Sequence, residues 1–382
     1  MGDKNFDIHD AQAFKLQQLS ALKFNLDDAV AQDMSSTENA IWELNRQEFA
    51  LDKDVLADAM LNIEALASVR MDGRPPSAHD MMIERAYAAV RAQEAPEYVQ
   101  RYERDRESLA VTLDRARESC TVGMLKDIHS CVLPLKHKDK GGVFRTDLKQ
   151  VGGSRYHVFG DLYRMPAPED IGELMEDLAA FMNADELLVV EVAGLAHAQV
   201  ININPFDRGN GKMGRVAIHY VLRNRGVTPA MILPFTPTIV TSNHDYVAGI
   251  RSCAVEPDMP VEEVSKRLNG WLRYFSGNCD KAVNIAADFA FTCSSLVEKY
   301  RDSLGVRSDN TAVALLGALA ALPAFSAQMA ADYLGCSFKR ASEACKLLLE
   351  KGVITQVTQG KRNRVYCADE FMDAYMEIDA LR

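Results

Sequence analysis

The groups most able to do chemistry are gathered in one segment, Asn204-Pro205-Phe206-Asp207-Arg208-Gly209-Asn210-Gly211-Lys212-Met213-Gly214-Arg215. Two glycines flanking an asparagine allow the backbone to turn with positive φ and to approach a ligand closely. If a helix begins just after them, its first N–H groups point into the turn and form a nest for an anion. Arg208, Lys212 and Arg215 add three cations at that same end. A cation at a helix N-terminus costs about 0.3–1 kcal/mol, and a bound polyanion reverses that sign. The residue types alone therefore leave two readings, a phosphate site or a solvated basic turn.

Flanking elements must hold this loop. Glu186–Ile203 is apolar on nearly every side, the pattern of a buried central helix. It must stop at Asn204, because a residue before proline is pushed out of the α region. From about Lys212 a second helix is predicted, with Met213, Val216, Ala217, Tyr220 and Val221 on one face and Gly226 as its stop. Lys136–Gly142 reads as a polar loop, followed by a hairpin of Leu148–Gly153 and Tyr156–Tyr163. Pro166 and Pro168 close the hairpin, and helices resume at Asp170. Residues 1 to about 110 have helical spacing, with breaks expected at Ser35-Ser36-Thr37 and at Asp72-Gly73-Arg74-Pro75-Pro76.

From about residue 305 the pattern reads as a winged helix. Helices are expected at Thr311–Leu322, at Ser326–Leu334 with Ser326 as N-cap, and at Ser337–Lys351. Two strands, Val353–Val357 and Arg364–Ala368, then enclose a basic wing. Lys339 and Arg340 fall near the start of the third helix, where recognition helices meet DNA, and Lys361, Arg362 and Arg364 lie on the wing. Between Ser326 and Tyr366 seven basic residues face three acidic ones, a local excess of +4 in a chain of net charge −11. That excess suits phosphate contact, although winged helices also serve for dimerisation and protein docking.

Bulk composition fits this picture. The 382 residues are 48% hydrophobic and 25% charged, a globular composition. The longest apolar stretch, Ala312–Phe325, is interrupted by Gly317 and Pro323 and is too short for a span. No apolar signal core opens the chain, so a cytoplasmic protein is expected. Eight scattered cysteines without a Cys-x-x-Cys pair argue against a disulfide framework or a zinc site.

The loop at 204–215 resembles the signature of the Fic family, His-Pro-Phe-x-(Asp/Glu)-Gly-Asn-Gly-Arg-x-x-Arg. Pro205, Phe206, Gly209, Asn210, Gly211 and Arg215 match it in register. Ala196-His197-Ala198-Gln199 is similar to the helix leading into that motif, and Lys126-Asp127-Ile128-His129 to an earlier core helix. Gly142-x-x-Arg145 with Val151-Gly152-Gly153 resembles the family's flap, on which His157 also lies. Ser68-Val69-Arg70-Met71-Asp72-Gly73 resembles the inhibitory motif Ser-x-x-x-Glu-Gly. The resemblance spans most of residues 60–280. It implies a mainly α protein with a Fic-type helical core, a β-hairpin flap and a C-terminal winged helix-turn-helix. The implied division is an N-terminal helical region at 1–110, a Fic core at 111–285, a linker helix at 286–304 and the winged helix at 305–382.

Members of that family transfer AMP from ATP to a hydroxyl side chain of a target protein. The resemblance implies ATP at Gly209, Asn210, Gly211, Lys212 and Arg215, and a target peptide added as a strand at the flap. It implies a general base at position 204, a Mg²⁺-binding acid at position 208 and an inhibitory carboxylate at Asp72, with Ser68 and Gly73, directed at Arg215. This chain departs at those positions. Asn204 does not titrate near neutral pH, and losing a general base costs roughly 10²–10⁴ in rate. Arg208 is donor-only and cannot ligate Mg²⁺. Lys212 replaces an arginine, and Asp72 is a shorter acid than glutamate.

The expectation is a nucleotide-binding Fic protein with impaired AMP transfer and a winged helix that binds DNA. A second reading is an active adenylyltransferase in which His157, His197 or Asp207 replaces the base. A third is a DNA-binding or scaffolding protein with a vestigial pocket. Each substitute base also has a plain structural role open to it: a core histidine at His197, an exposed strand residue at His157, a partner for Arg208 or Lys212 at Asp207. The partners implied are a nucleotide, a target protein at the flap, DNA and a second copy of the chain, with no membrane.

Overall fold

A computed structural model describes residues 13–381 apart from 72, 74, 92–93, 152–162, 241–242 and 361. Helices dominate. Two compact units emerge, each assembled from three stretches of chain: Met1–Ser35, Glu118–Val221 and Asn243–Phe275 in the first, Ser36–Arg117, Leu222–Ser242 and Ser276–Arg382 in the second.

In the first unit, helix α7 (Val189–Ile203) is the centre, with 190–200 buried throughout. Its largely apolar composition predicts this, and the carboxylate it carries, Glu191, is itself buried. It starts three residues later than the apolar run suggests. Against it pack α6 (Ile171–Met182) and α10 (Asn243–Ser252), and α5 (Val122–Val132) packs on α6. The Trp271 indole, near the start of the 41-residue helix α11 (Val261–Arg301), donates to the Gly194 carbonyl at 2.9 Å. The hairpin is present as β1 (Gln150–Val151) and β2 (Tyr163–Arg164), antiparallel, with Val151 opposite Tyr163. Its remainder, including Gly152, Gly153 and His157, lies outside the described residues.

In the second unit, α2 (Lys53–Met71) holds the central place, with 59–69 all buried. Two polar residues inside that run have their partners on other elements. Asn62 donates to the Ala321 carbonyl and accepts from the Tyr102 hydroxyl. Glu64 accepts the backbone N–H of Thr236 at 2.8 Å and its hydroxyl, closing the start of α9 (Thr236–Val240). Such pairing is what makes a buried carboxylate tolerable. α4 (Glu97–Arg115) packs along α2, and α3 (Ala78–Arg91) covers strand β3 (Ala324–Ser326).

The expected helix break at Ser35-Ser36-Thr37 does not occur: α1 (Asp28–Arg46) runs through it. Thr37 is buried and its hydroxyl donates to Asp280 at 2.8 Å, so a tertiary contact outweighs weak helix propensity. The stop at Gly226 is present. After α8 (Asn210–Asn224), Gly226 takes φ +72°, its N–H bonds to the Arg223 carbonyl, and Val227 N–H reaches Leu222, which is a Schellman closure.

Residues 305–379 follow the order α12 (Thr311–Ala318), β3, α13 (Ala327–Tyr333), α14 (Phe338–Glu350), β4 (Thr355–Gln356), β5 (Val365–Cys367) and α15 (Asp369–Asp379). The three strands form an antiparallel sheet in the order β3-β5-β4. Ser326 caps α13, its Oγ accepting Met329 N–H at 3.2 Å. The first helix stops at Ala318, earlier than Leu322, because the chain turns there into β3, a strand the sequence pattern did not reveal. Residues 286–301 of the expected linker are the second part of α11, ending in a 3-10 turn at Asp302–Leu304.

Candidate functional site

The site is the turn between α7 and α8. Asn204 caps α7 in the left-handed region, at φ +50° and ψ +58°, which asparagine tolerates better than most residues. Of the two glycines, Gly209 alone takes positive φ, +79°; a Cβ there would also meet Val132 at 3.2 Å. Gly211 is already inside α8, so that helix begins two residues earlier than its apolar face indicates.

Asn210 is the internal brace of the turn. Its Oδ1 accepts Phe206 N–H at 2.9 Å, and its Nδ2 donates to Phe206 O at 2.8 Å and to Asn204 Oδ1 at 2.9 Å. The oxygen of the Asn204 carboxamide thereby gives one of its two acceptor sites to a neighbour. The residue at the general-base position presents a donor and no basic atom.

The outside of the turn is held from below. The ring of His129 on α5 stacks on Phe206, with centroids 3.6 Å apart and planes 6° from parallel. Its Nδ1 accepts Gly142 N–H at 3.0 Å, so the proton sits on Nε2, which donates to Arg208 O at 2.9 Å. Burial lowers the pKa of this imidazole, and the bond to the Arg208 carbonyl offsets part of that. Lys149, just before β1, donates to Phe206 O at 3.1 Å and Asp207 O at 2.5 Å. Three successive carbonyls, 206 to 208, are therefore turned onto His129 and Lys149. An anion nest requires this, since a carbonyl facing the ligand would repel it.

Arg145 fixes the root of the flap. It is 3% exposed and its guanidinium donates to four carbonyls: Pro166 at 2.7 Å, Asn204 at 2.8 Å, Asp147 at 2.8 Å and Ile203 at 3.3 Å. Burial lowers its pKa, with Asp207 opposing. The backbone adds Arg145 N–H to Pro205 O at 2.9 Å and a bridge between Phe144 and Phe206. Loop and flap root form one hydrogen-bonded piece.

Asp207, the candidate substitute base, is engaged by two lysines from before the flap. Its carboxylate meets Lys140 at 2.8 Å and Lys149 at 3.7 Å. The Lys140 hydrogen bond, chiefly, holds its pKa below the ordinary carboxylate value, the opposite of what a base near neutral pH needs. His197 is wholly buried, its Nε2 2.9 Å from the Tyr246 hydroxyl and its ring stacked on Trp271. It is a core histidine. Sequence reasoning missed Lys140, Lys149 and His129 as parts of this turn. The signal was a basic residue on each side of the Gly141-Gly142 pair, and a histidine in the earlier helix with no explained role.

The remaining cations of the turn are Arg208, exposed, Lys212, half-buried, and Arg215, 5% exposed, whose Nη1 would lie 3.7 Å from a Cβ on Gly211. A divalent cation finds a poor donor set. Arg208 occupies the acid position, and Asp207 is engaged by two ammonium groups. Among the described residues no group of three or more His, Cys, Asp or Glu could hold a metal ion.

Elsewhere, Ser68 is buried on α2, Gly73 follows in a bend, and Asp72 lies outside the described residues. Lys339, Arg340 and Arg362 are exposed, Arg364 is half-buried, and Lys361 is outside the described residues. Ser337 caps α14, and the Arg340 guanidinium bonds Thr311 Oγ1 at 3.1 Å.

A buried helix ending in a left-handed residue, a glycine-bearing basic turn and a second helix rooted on a hairpin make up the site. Residues 119–222 match the Fic/DOC family model. The chain is 31% identical over 124 residues to a protein adenylyltransferase Fic of Culex quinquefasciatus, covering 32% of this chain and 23% of that protein. With a protein adenylyltransferase Fic of Nematostella vectensis it shares 30% over 138 residues, 35% of this chain and 29% of that one. The matches thus span about a quarter of those relatives' length. A Fic family protein from Desulfovibrio desulfuricans G20 has a similar structure, with TM-score 0.53 and 15% identity, covering 91% of this chain and 97% of that one. A Fic domain containing signaling protein from Bacteroides thetaiotaomicron VPI-5482 gives 0.51 and 17% over 68% and 96%. At such identities these two likenesses speak for the fold alone. Among the described residues no helix is long and apolar enough to cross a membrane.

Proposed function

We propose that this chain binds a nucleotide, ATP first among candidates, in the turn at 204–215 and has lost most or all of the AMP transfer for which its relatives are named. The observation that carries the reading is the state of Asn204. It stands where a base is required, and its only acceptor oxygen is held by Asn210 at 2.9 Å. Neither His197 nor Asp207 is placed to substitute, the first buried in the core and the second paired with lysines. Binding is supported by the retained backbone geometry: Gly209 at positive φ, carbonyls 206–208 turned outward, and Lys212 and Arg215 on the first turns of α8.

Gly209, Asn210, Gly211, Lys212 and Arg215 would hold the phosphates, and a target segment would meet the edge at Val151. Calorimetric titration of ATP into the full chain tests this. Saturable binding that Arg215→Ala abolishes is the expected result, and absence of binding to ATP or any other nucleotide at millimolar concentration removes the reading.

A second activity rests on the C-terminal segment, which we read as a winged helix that contacts DNA from within a cytoplasmic protein. Lys339 and Arg340 stand exposed at the first turn of α14, whose opposite face, Ala341, Ala344, Cys345 and Leu348, is buried. Arg362 and Arg364 line a pocket with Phe338 and Ser342 of the same helix. A mobility shift of duplex DNA that weakens steeply with salt is expected, and loss of the shift in Lys339→Ala/Arg340→Ala would assign it.

A further inference from the structure

Beside the exposed start of α14 lies a concavity of about 720 Å³, within the range of roughly 300–1,000 Å³ typical of small-ligand sites. All its walls belong to the second compact unit: the end of α3, the start of α13, the start of α14, and the wing between β4 and β5. They are of two kinds. Val90, Met329, Phe338 and Tyr366 supply an apolar side. Phe338 is 56% exposed, and an apolar occupant would take that ring out of water. Arg362 and Arg364 supply a charged side.

The charge on that side is uncompensated. Among the described residues neither guanidinium pairs with a carboxylate, and Arg364 Nε is buried without a hydrogen-bond partner. A partly desolvated cation of this kind gains from an anion beside it. The acid of the lining, Asp332, accepts from Gln328 Nε2 at 2.7 Å instead. The wing that carries the arginines also has a set shape. Val357 N–H bonds to Val365 O at 2.9 Å, Thr358 Oγ1 accepts Val365 N–H at 3.2 Å, and Gln356 Nε2 donates to Gly360 O at 2.9 Å. Asn363, between the arginines, turns at φ +52°. A site built before its ligand arrives loses less ordering entropy on binding.

We propose that this cavity binds a small organic anion, a carboxylate on an aryl or acyl body, with the carboxylate on Arg362 and Arg364 and the body against Phe338 and Met329. A guanidinium fork matches a carboxylate in both geometry and charge. A phosphate polymer would satisfy the arginines and leave the apolar wall uncovered, so duplex DNA is the poorer occupant of the cavity. The site is separate from the turn at 204–215 and needs no DNA to bind its ligand.

The test titrates naphthoate and decanoate calorimetrically into the full chain, beside their uncharged amides. At least one carboxylate is expected to saturate a single site and to bind about tenfold tighter than its amide, the worth of one charge-assisted contact. Arg364→Gln should bring acid and amide to equal affinity, while Arg364→Lys keeps part of the preference. Phe338→Ala should weaken acid and amide alike, by about tenfold. Thermal midpoints show whether each variant is folded, and Arg362→Gln, at an exposed position, repeats the charge test if Arg364→Gln is not. Failure of both carboxylates to bind at millimolar concentration would overturn the inference. Binding that neither Phe338→Ala nor an arginine variant changes would put the anion elsewhere on the chain and overturn it equally.

Discussion

Two helix starts in this chain are rich in cations, and they are built differently. At α14 the Ser337 hydroxyl accepts Arg340 N–H at 3.4 Å, the Arg340 side chain turns back to Thr311, and Phe338 and Lys339 face solvent, Phe338 at 56% exposure. A side chain of its own sequence fills that helix cap. At α8 the turn is braced from outside the helix, by Arg145, Lys149 and His129 acting on carbonyls, and from within by Asn210. The first arrangement leaves Lys339 on an open surface. The second turns the backbone acceptors of 206–208 onto His129 and Lys149. Similar residue types thus stand on an open helix start in one place and in a braced turn in the other, and the difference is set by what the carbonyls bond.

That contrast can be broken in a graded way. The largest effect is expected for Arg145→Ala, which leaves buried carbonyls of Ile203 and Pro166 without their donor and should cost about 3 kcal/mol or more in denaturant unfolding. Next comes Asn210→Ala. It removes three hydrogen bonds inside the turn, and a loss of about 2 kcal/mol together with weaker ATP binding is the expected outcome.

Acid should act on the same turn more gently. His129 in the fold has a pKa below its ordinary 6.5, so the unfolded chain binds the proton more readily. Its contribution to stability is complete above about pH 6.5 and declines as pH falls from there toward the lowered folded value. Thermal midpoints measured from pH 7.5 downward should drop across that window, and His129→Gln should flatten the part of the drop that this residue causes. The smallest effect belongs to the other helix start. Ser337→Ala removes one long, exposed cap bond and should cost about 0.5 kcal/mol, without any change in ATP affinity.

Much of this was legible in residue pattern. The all-round apolar run before Asn204, the proline that ends it and the glycine at 226 are local signals, and local signals fix helix centres and ends. The serine at 326 announced its helix for the same reason. What stayed hidden depends on contacts across long stretches of sequence. Ser35-Ser36-Thr37 reads as a break until Asp280 is known to receive the Thr37 hydroxyl. β3 is three residues long and takes its identity from pairing with β5. At the site, the altered positions 204 and 208 were readable, but the fate of Asp207 was not, because Lys140 and Lys149 reach it from about 60 residues earlier.

The most direct test of the account is transfer of label from ATP labelled at the α-phosphate, in Mg²⁺, comparing the full wild-type chain with the Asn204→His/Arg208→Asp variant. Both self-labelling and labelling of added protein hydroxyl acceptors are read. The account predicts no transfer above background from the wild type and a gain of roughly 10²–10⁴-fold once a base and a metal ligand are present. Steady transfer by the wild-type chain that Arg215→Ala abolishes would contradict it, and would show that the chemistry survives the replacement of its base.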